Sequence, residues 1–354
     1  MRIFLTGGTG FLGAKIAEAC VEQGYDLRVL VEPHCCSKHL EALQAEVCPG
    51  DLRDQPLLRR AVDDCDLVIH SAAKVGDWGD WPGFYEVNVL GARRLYEAAE
   101  DAGVKRAVHV SSTAVYGKDL VLDEPIDETM GPLPVDQFPD WYAYGRSKSM
   151  AESLVWQIHE RGNLEMTAIR PGWVYGPGDV KLLGRLASML ERGNARLIGR
   201  GNNPLMLTYV TNVADAILLA ARHEAAAGEA FNVSNDVQIT QREFFDQLAE
   251  TIGVQPVRKQ VPFRAAYAAA AGLEASYRWL GIKQRPPITR QSLSLLGLPQ
   301  LFSTDKIRAQ LGWQPRVGLE EGLQRIGTWW SEFNRSSHDE TDTGSGSIRI
   351  GQAA

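Results

Sequence analysis

No stretch of the 354-residue chain runs to the ~18 uninterrupted apolar residues that a membrane-crossing helix needs, so an integral membrane protein is not expected. Nor do basic residues gather anywhere. The formal net charge is −7, and without a cationic stripe a phosphate backbone finds no footing, which sets nucleic-acid binding aside. Cysteine is sparse: Cys20, Cys35, Cys36, Cys48 and Cys65 are odd in number and show no C-x-x-C spacing. That argues against a disulfide framework or a thiolate metal site and points to a reduced, cytoplasmic protein, with Cys35-Cys36 read as two thiols in a loop. Met1 leads straight into strand-like residues, which leaves no room for a signal peptide. No internal repeat is visible, and the length suits two domains or one large α/β unit.

What is present begins at the first residues. The β-prone run Arg2-Ile-Phe-Leu-Thr6 feeds Gly7-Gly-Thr-Gly10-Phe-Leu-Gly13 and then the helical pattern Ala14 to Gln23. Strand, glycine loop and helix in that order form a dinucleotide-binding turn. Gly7, Gly10 and Gly13 allow a tight turn, close backbone approach to a pyrophosphate and close helix packing, with the anion at the helix N-terminus. Asp26 to Val31 reads as the second strand, and Glu32 lies just beyond it, where a carboxylate can accept from the adenosine ribose and repel a 2′-phosphate. NAD is therefore the expected cofactor. NADP stays open, because Arg28, His34 and Lys38 lie nearby in sequence.

Strand and helix signals continue to alternate, which makes the chain α/β. The segment Val47 to Leu52 presents Asp51, a candidate acceptor for the adenine amino group or a turn residue. The strand Leu67 to His70 ends in Ser71-Ala72-Ala73, whose small side chains let the backbone approach a cofactor. Glu86 to Ala99 has a helical pattern broken by Asn88, a poor mid-helix residue unless its amide has work to do. Arg106 to Val110 is a fifth strand, and Ser111 and Ser112 at its end could bind a carbonyl oxygen. In Tyr142-Ala-Tyr144-Gly-Arg-Ser-Lys148, helical periodicity places Tyr144 and Lys148 on one face, with Tyr142 pointing elsewhere. The lysine charge is expected to pull the phenol down toward neutral pH, where it can exchange a proton.

Taken together, these segments resemble the extended short-chain dehydrogenase/reductases over roughly the first 330 residues. The anchors are Gly7 to Gly13, Gly50-Asp51-Leu-Arg-Asp54, Asn88-Val-Leu-Gly91, Ser111-Ser112-Thr-Ala-Val-Tyr116-Gly, Tyr144-Gly-Arg-Ser-Lys148, Arg170-Pro171-Gly-Trp-Val-Tyr175-Gly-Pro177 and Tyr209-Val-Thr-Asn-Val-Ala214. The resemblance implies a Rossmann-type doubly wound parallel sheet with a smaller, discontinuous C-terminal substrate lobe. The nucleotide domain would take 1–174 and receive 208–236, the substrate lobe 175–207 and 237–334, and residues 335–354 would form a polar, disordered tail. Counting back from Val115-Tyr116-Gly117 places the catalytic hydroxyl on Ser112, joined by Tyr144, Lys148 and a structural Asn88. Lys148 would also reach the nicotinamide ribose. The cofactor set it implies is Gly7, Thr9, Gly10, Phe11, Leu12, Gly13, Glu32, Asp51, Leu52, Ala72, Ala73, Tyr144, Lys148, Pro171 and Val174, with no metal.

Within that family three branches compete. Dehydratases carry acidic residues after the catalytic hydroxyl, whereas this chain has Thr113 and Ala114. Sugar-nucleotide enzymes carry an arginine before the Tyr-Val-x-x-Val-Ala segment, whereas Pro204 to Thr208 here is an apolar wall that would leave a diphosphate without charge partners. The run Ala72-Ala-Lys74-Val-Gly-Asp-Trp78-Gly-Asp-Trp81 is similar to the 3β-hydroxysteroid dehydrogenase-like branch, including enzymes that reduce long-chain 3-oxo acids. Its tryptophans suit the rim of an apolar pocket, and Lys74 is a candidate for a substrate carboxylate. Hydride exchange on a lipid-like alcohol or ketone is the leading expectation, with a sugar-nucleotide epimerase retaining NAD as the alternative. A nucleotide-sensing module without catalysis is disfavoured by the intact Ser112, Tyr144 and Lys148. Val180 to Gly193 is expected to be a helix capping the substrate. Phe263 to Ile282 should roof the pocket or lie on a membrane surface, although it lacks a basic face. Homodimerisation stays open.

Overall fold

The computed structural model describes residues 1–118, 124–234 and 238–342, with side chains to Arg335. The chain opens in strict alternation: β1 (Arg2–Thr6), α1 (Phe11–Glu22), β2 (Asp26–Val31), α2 (Lys38–Ala42), β3 (Glu46–Pro49), α3 (Gln55–Ala61) and β4 (Leu67–His70). A short α4 (Trp81–Phe84) runs into a π-helical turn at Tyr85–Leu90 and then α5 (Gly91–Asp101), β5 (Arg106–Val110), α6 (Ala143–His159) and β6 (Glu165–Pro171). The chain continues with β7 (Trp173–Tyr175), α7 (Leu183–Glu191), β8 (Leu197–Ile198), β9 (Pro204–Leu205) and β10 (Leu207–Tyr209). The chain then returns through α8 (Val210–Arg222) and β11 (Ala230–Val233). It ends with β12 (Ile239–Thr240), α9 (Gln241–Thr251), β13 (Gln260–Val261), α10 (Phe263–Trp279), α11 (Arg290–Gly297), α12 (Asp305–Leu311) and α13 (Leu319–Asp342).

Seven strands form one sheet in the order β11-β6-β5-β4-β1-β2-β3, and every neighbouring pair is parallel. Parallel pairing demands crossover helices, and these cover both faces. The strand period of two sorts the apolar side chains. Ile3, Leu5, Val29 and Val31 pack with α1 and α8 through Ile16, Cys20, Val213 and Ile217, while Phe4, Leu30 and Val68 face α3, α5 and α6 through Leu58, Leu95, Val155 and Ile158. A third core, including Trp173, Tyr175, Leu186, Leu207, Phe244, Leu248 and Ile326, packs α7, α9 and α13 together. The order of the main sheet reverses between β1 and β4, so the carboxyl ends of those strands open a crevice, the position where such sheets bind ligands.

Two expectations need correction here. The helix α13 runs on past Arg335 to Asp342, because its apolar stripe docks the helix and each further residue adds a hydrogen bond once a turn exists. Residues 235–237 and 343–354, including the end of the expected tail, lie outside the described residues. Helix α7 is shorter than expected and turns Leu183, Leu186 and Leu190 into the third core rather than capping a cavity.

Candidate functional site

The glycine loop sits at the crevice. Gly7 holds φ +77°, and a Cβ there would meet the Ala72 backbone nitrogen at 2.5 Å; a Cβ on Gly13 would strike the Gly7 carbonyl oxygen at 1.9 Å. The loop therefore closes onto both the β4 end and the first turn of α1, which Thr9, Phe11 and Leu12 complete. Helix α1 starts at Gly10, has no side-chain cap and has no acidic residue in its first turn. Its free N–H groups and positive dipole end are left for an anion, which is what a pyrophosphate requires. The chain thus fits a dinucleotide on its own geometry.

Around this loop the expected contacts separate. Glu32 is exposed just past β2, in the open position needed to meet a ribose. Arg28 is not a rival for a 2′-phosphate, because its guanidinium is paired with Glu46 at 2.9 Å and donates to the Ala61 and Asp63 carbonyls. Asp51 is occupied as well. Its carboxylate accepts from the Arg53 backbone and side chain, which holds it below its ordinary pKa against the opposing effect of burial, and helix α3 is capped by Asp54 instead. Leu52 is buried in the core beside Gly91, and Ala72 donates its N–H to Thr6 at 3.3 Å. Pro171 closes β6, Val174 lies in β7, and Ala73 follows Ala72 at the β4 end of the crevice.

Tyr144 and Lys148 lie one turn apart at the start of α6, and the Ser112 hydroxyl is near enough to the Tyr144 phenol to act on its ionisation. Ser111 is turned away, donating to Glu152 at 2.5 Å. Backbone sterics explain the split: Ser112 is fully extended, φ −167°, and accepts from Ala114 N at 3.1 Å, so consecutive side chains point to opposite sides. Asn88 occupies the π-helical turn, where the extra residue turns its amide inward. It accepts from Lys74 N at 2.7 Å and donates to the Lys74 carbonyl and to Ser147 at 2.9 Å, tying the post-β4 loop to α6.

The electrostatics differ from expectation. Burial raises the Tyr144 phenol above its ordinary value, with the nearby Ser112 hydroxyl opposing it, so the expected depression by Lys148 is not found. The Lys148 ammonium donates to the Val110 carbonyl at 2.6 Å, and desolvation brings its pKa down to about 8 while Glu152 pulls the other way. Desolvation dominates because the surrounding protein buries both groups, and among the described residues Glu152 is the only countercharge that acts on Lys148.

Tyr144 lines a cleft with Trp78, Phe84, Trp141, Glu274, Arg278 and others. The Trp78 loop is stapled to the stretch between α10 and α11. Asp77 takes Arg285 through paired hydrogen bonds, one of 2.6 Å, and accepts from Thr289 at 2.7 Å, while the Trp78 indole donates to Lys283 O at 3.1 Å. Trp81 is not at the rim; it stacks under Arg146 at 4.3 Å and against Tyr85. Lys74 is engaged too, with its ammonium 3.6 Å from Asp80 and 5.1 Å from the Phe84 ring centre. Helix α10 roofs this cleft through Glu274 and Arg278, and among the described residues no helix is long and apolar enough to cross a membrane.

Sequence reasoning missed the support behind the site. Arg170, 1% exposed, forms a bidentate pair with Glu152, 0% exposed, and donates to Tyr116 at 2.6 Å; Tyr116 in turn donates to Asn232 at 2.7 Å. The available signal was a charged residue set between apolar neighbours, Ala168-Ile169 and Pro171, in a strand, which must have a partner.

A model described as the NAD dependent epimerase/dehydratase family matches residues 3–234. The chain belongs to that family. As a member of the epimerase/dehydratase family it is an NAD-dependent enzyme, and its relatives are named reductases and dehydrogenases, which makes it an oxidoreductase. The chain is 33% identical to a 2-alkyl-3-oxoalkanoate reductase of Stenotrophomonas maltophilia, over 92% of this chain and 98% of the relative. It is 32% identical to a 4-hydroxy-2-methyl-3-oxo-4-farnesyl-3,4-dihydroquinoline-1-oxide ketoreductase of Stigmatella aurantiaca, over 92% and 96%. The epimerase/dehydratase fold is shared with a UDP-glucose 4-epimerase of Thermotoga maritima solved with UDP-glucose, at TM-score 0.75 and 23% identity, covering 94% of this chain and 100% of the other.

Proposed function

We propose that this enzyme reduces the ketone of a lipid-like substrate, or oxidises the matching secondary alcohol, with Ser112, Tyr144 and Lys148 as the working groups. The observation that carries the reading is the meeting of the Ser112 hydroxyl and the Tyr144 phenol at a cleft walled by Trp78, Phe84 and Trp141. When bound, NADH supplies the hydride to the carbonyl carbon. Gly7, Gly10, Gly13 and the first turn of α1 would hold its pyrophosphate, and Glu32 its adenosine ribose.

Ser112 donates to the substrate oxygen and fixes it beside Tyr144. The phenol, kept protonated by burial, gives its proton to that oxygen as negative charge develops there, so a raised pKa suits the reductive direction. Lys148, one helical turn away, stabilises the phenolate that remains, and its charge matters most at that moment. Asn88 keeps α6 and the Lys74 segment in register. The lobe formed by 175–207 and 237–334 would close over the substrate.

A nucleotide-sugar substrate is disfavoured because the stretch Pro204-Leu205-Met206-Leu207-Thr208 contains no arginine to form paired, charge-assisted hydrogen bonds with a diphosphate. The test is loss of NADH absorbance with 2-alkyl-3-oxo acids, 3-oxosteroids and UDP-glucose as separate substrates. Turnover with one of the first two is expected. Isomerised sugar with no net cofactor consumption would overturn the reading.

A further inference from the structure

Beyond Ser112 the chain builds a second pocket with a largely apolar lining and one cation: Trp173, Leu205, Met206, Leu298 and Phe302 stand around Lys118, with Gln300 among them. Thr113, the residue after Ser112, lies on the same wall. Lys118 is 9% exposed, and its ammonium sits 5.4 Å from the centre of the Tyr142 ring. No carboxylate or carbonyl acceptor among the described residues pairs with it. The other lysines of the site are engaged, Lys74 with Asp80 and Lys148 with Val110. The indole nitrogen of Trp173, on the same wall, is buried without a partner among the described residues.

An ammonium set in a largely apolar wall, with no acceptor among the described residues, gains from an anion that arrives beside it. We propose that Lys118 is the specificity residue that binds the carboxylate of the substrate, and that the substrate is a 3-oxo acid whose alkyl chain lies along the apolar wall. This deepens the functional reading above and rests on it. The chemistry matches the placement. In a 3-oxo acid one carbon separates the carboxylate from the reacting carbonyl, so an oxygen held at Ser112 leaves the acid group on the Thr113 side. Burial brings the free lysine down to about pKa 8, and an incoming carboxylate restores its affinity for the proton.

The experiment compares a C10–C14 2-alkyl-3-oxo acid with its methyl ester in the wild-type enzyme, Lys118→Gln and Lys118→Arg, all with NADH. A charge-assisted hydrogen bond predicts that Lys118→Gln lowers the acid-to-ester ratio of kcat/KM by about ten- to a hundredfold, mostly through KM, and that Lys118→Arg keeps most of it. An unchanged ratio in Lys118→Gln overturns the proposal. Calorimetric binding of dodecanoate and methyl dodecanoate to the three proteins reads the same contact without turnover. If no ketone is reduced but dodecanoate binds and Lys118→Gln abolishes that binding, the reductase reading fails and the carboxylate site stands. Equal binding of acid and ester by the wild type removes the site.

Discussion

Replacing Lys118 by methionine should make the protein more stable at neutral pH, an unusual outcome for a change at a buried position. Folding carries this lysine from an ordinary pKa of 10.5 down to about 8 by burial alone. At pH 7 both states are charged, and desolvating the folded one costs about 3 kcal/mol. Between pH 8 and 10.5 the unfolded chain holds a proton that the folded one has released, so this cost disappears as pH rises. Methionine fills similar volume without the charge; it forfeits the contact with the Tyr142 ring, worth about 1 kcal/mol. A net gain of about 2 kcal/mol, or roughly 4 °C in Tm, is expected at pH 7, shrinking toward zero near pH 10. Thermal melts of both proteins by circular dichroism at the two pH values read it directly. Other groups that titrate in this range are common to both proteins and cancel in the difference. A less stable variant at pH 7, or a difference that does not change with pH, would refute the reasoning.

Glu152→Gln leaves the Arg170 guanidinium buried without its countercharge and should cost about 3–5 kcal/mol of folding stability by urea titration. A loss under about 1 kcal/mol would mean that the pair is a spectator. The rate with a neutral ketone should be full below pH 8 and fall as pH rises through about 8, because the lowered pKa of Lys148 sets where its charge is lost. A flat profile to pH 9.5 would remove that charge from the rate.

Much of the architecture was readable because its signals are local. Strand, glycine turn and helix follow each other within the first 22 residues, and Tyr144 and Lys148 share a helix, so spacing alone put them side by side. Asn88 stood out as a misfit in its helix, and its amide proves to bridge two segments. What escaped depends on distant chain segments meeting. Glu152 and Arg170 join a helix to a strand, and Glu274, Arg278 and Gln291 reach the cleft from α10 and α11 more than a hundred residues after Tyr144. Lys118 carries no pattern at all, since a lysine after a glycine is ordinarily solvated. Of the two readings left open for Asp51, the turn residue is the one the structure displays, since its carboxylate accepts from the Arg53 backbone two residues on. The depression of the Tyr144 phenol was expected from charge proximity alone, and burial outweighed it.

The central claim is that Tyr144 hands a proton to a carbonyl oxygen held by Ser112, and Tyr144→Phe tests it most directly. Single-turnover reduction of a 3-oxo substrate should slow by about a thousandfold or more, while the dissociation constant for NADH, read by fluorescence, stays within about threefold. A variant that turns over at the wild-type rate with cofactor bound would contradict the account.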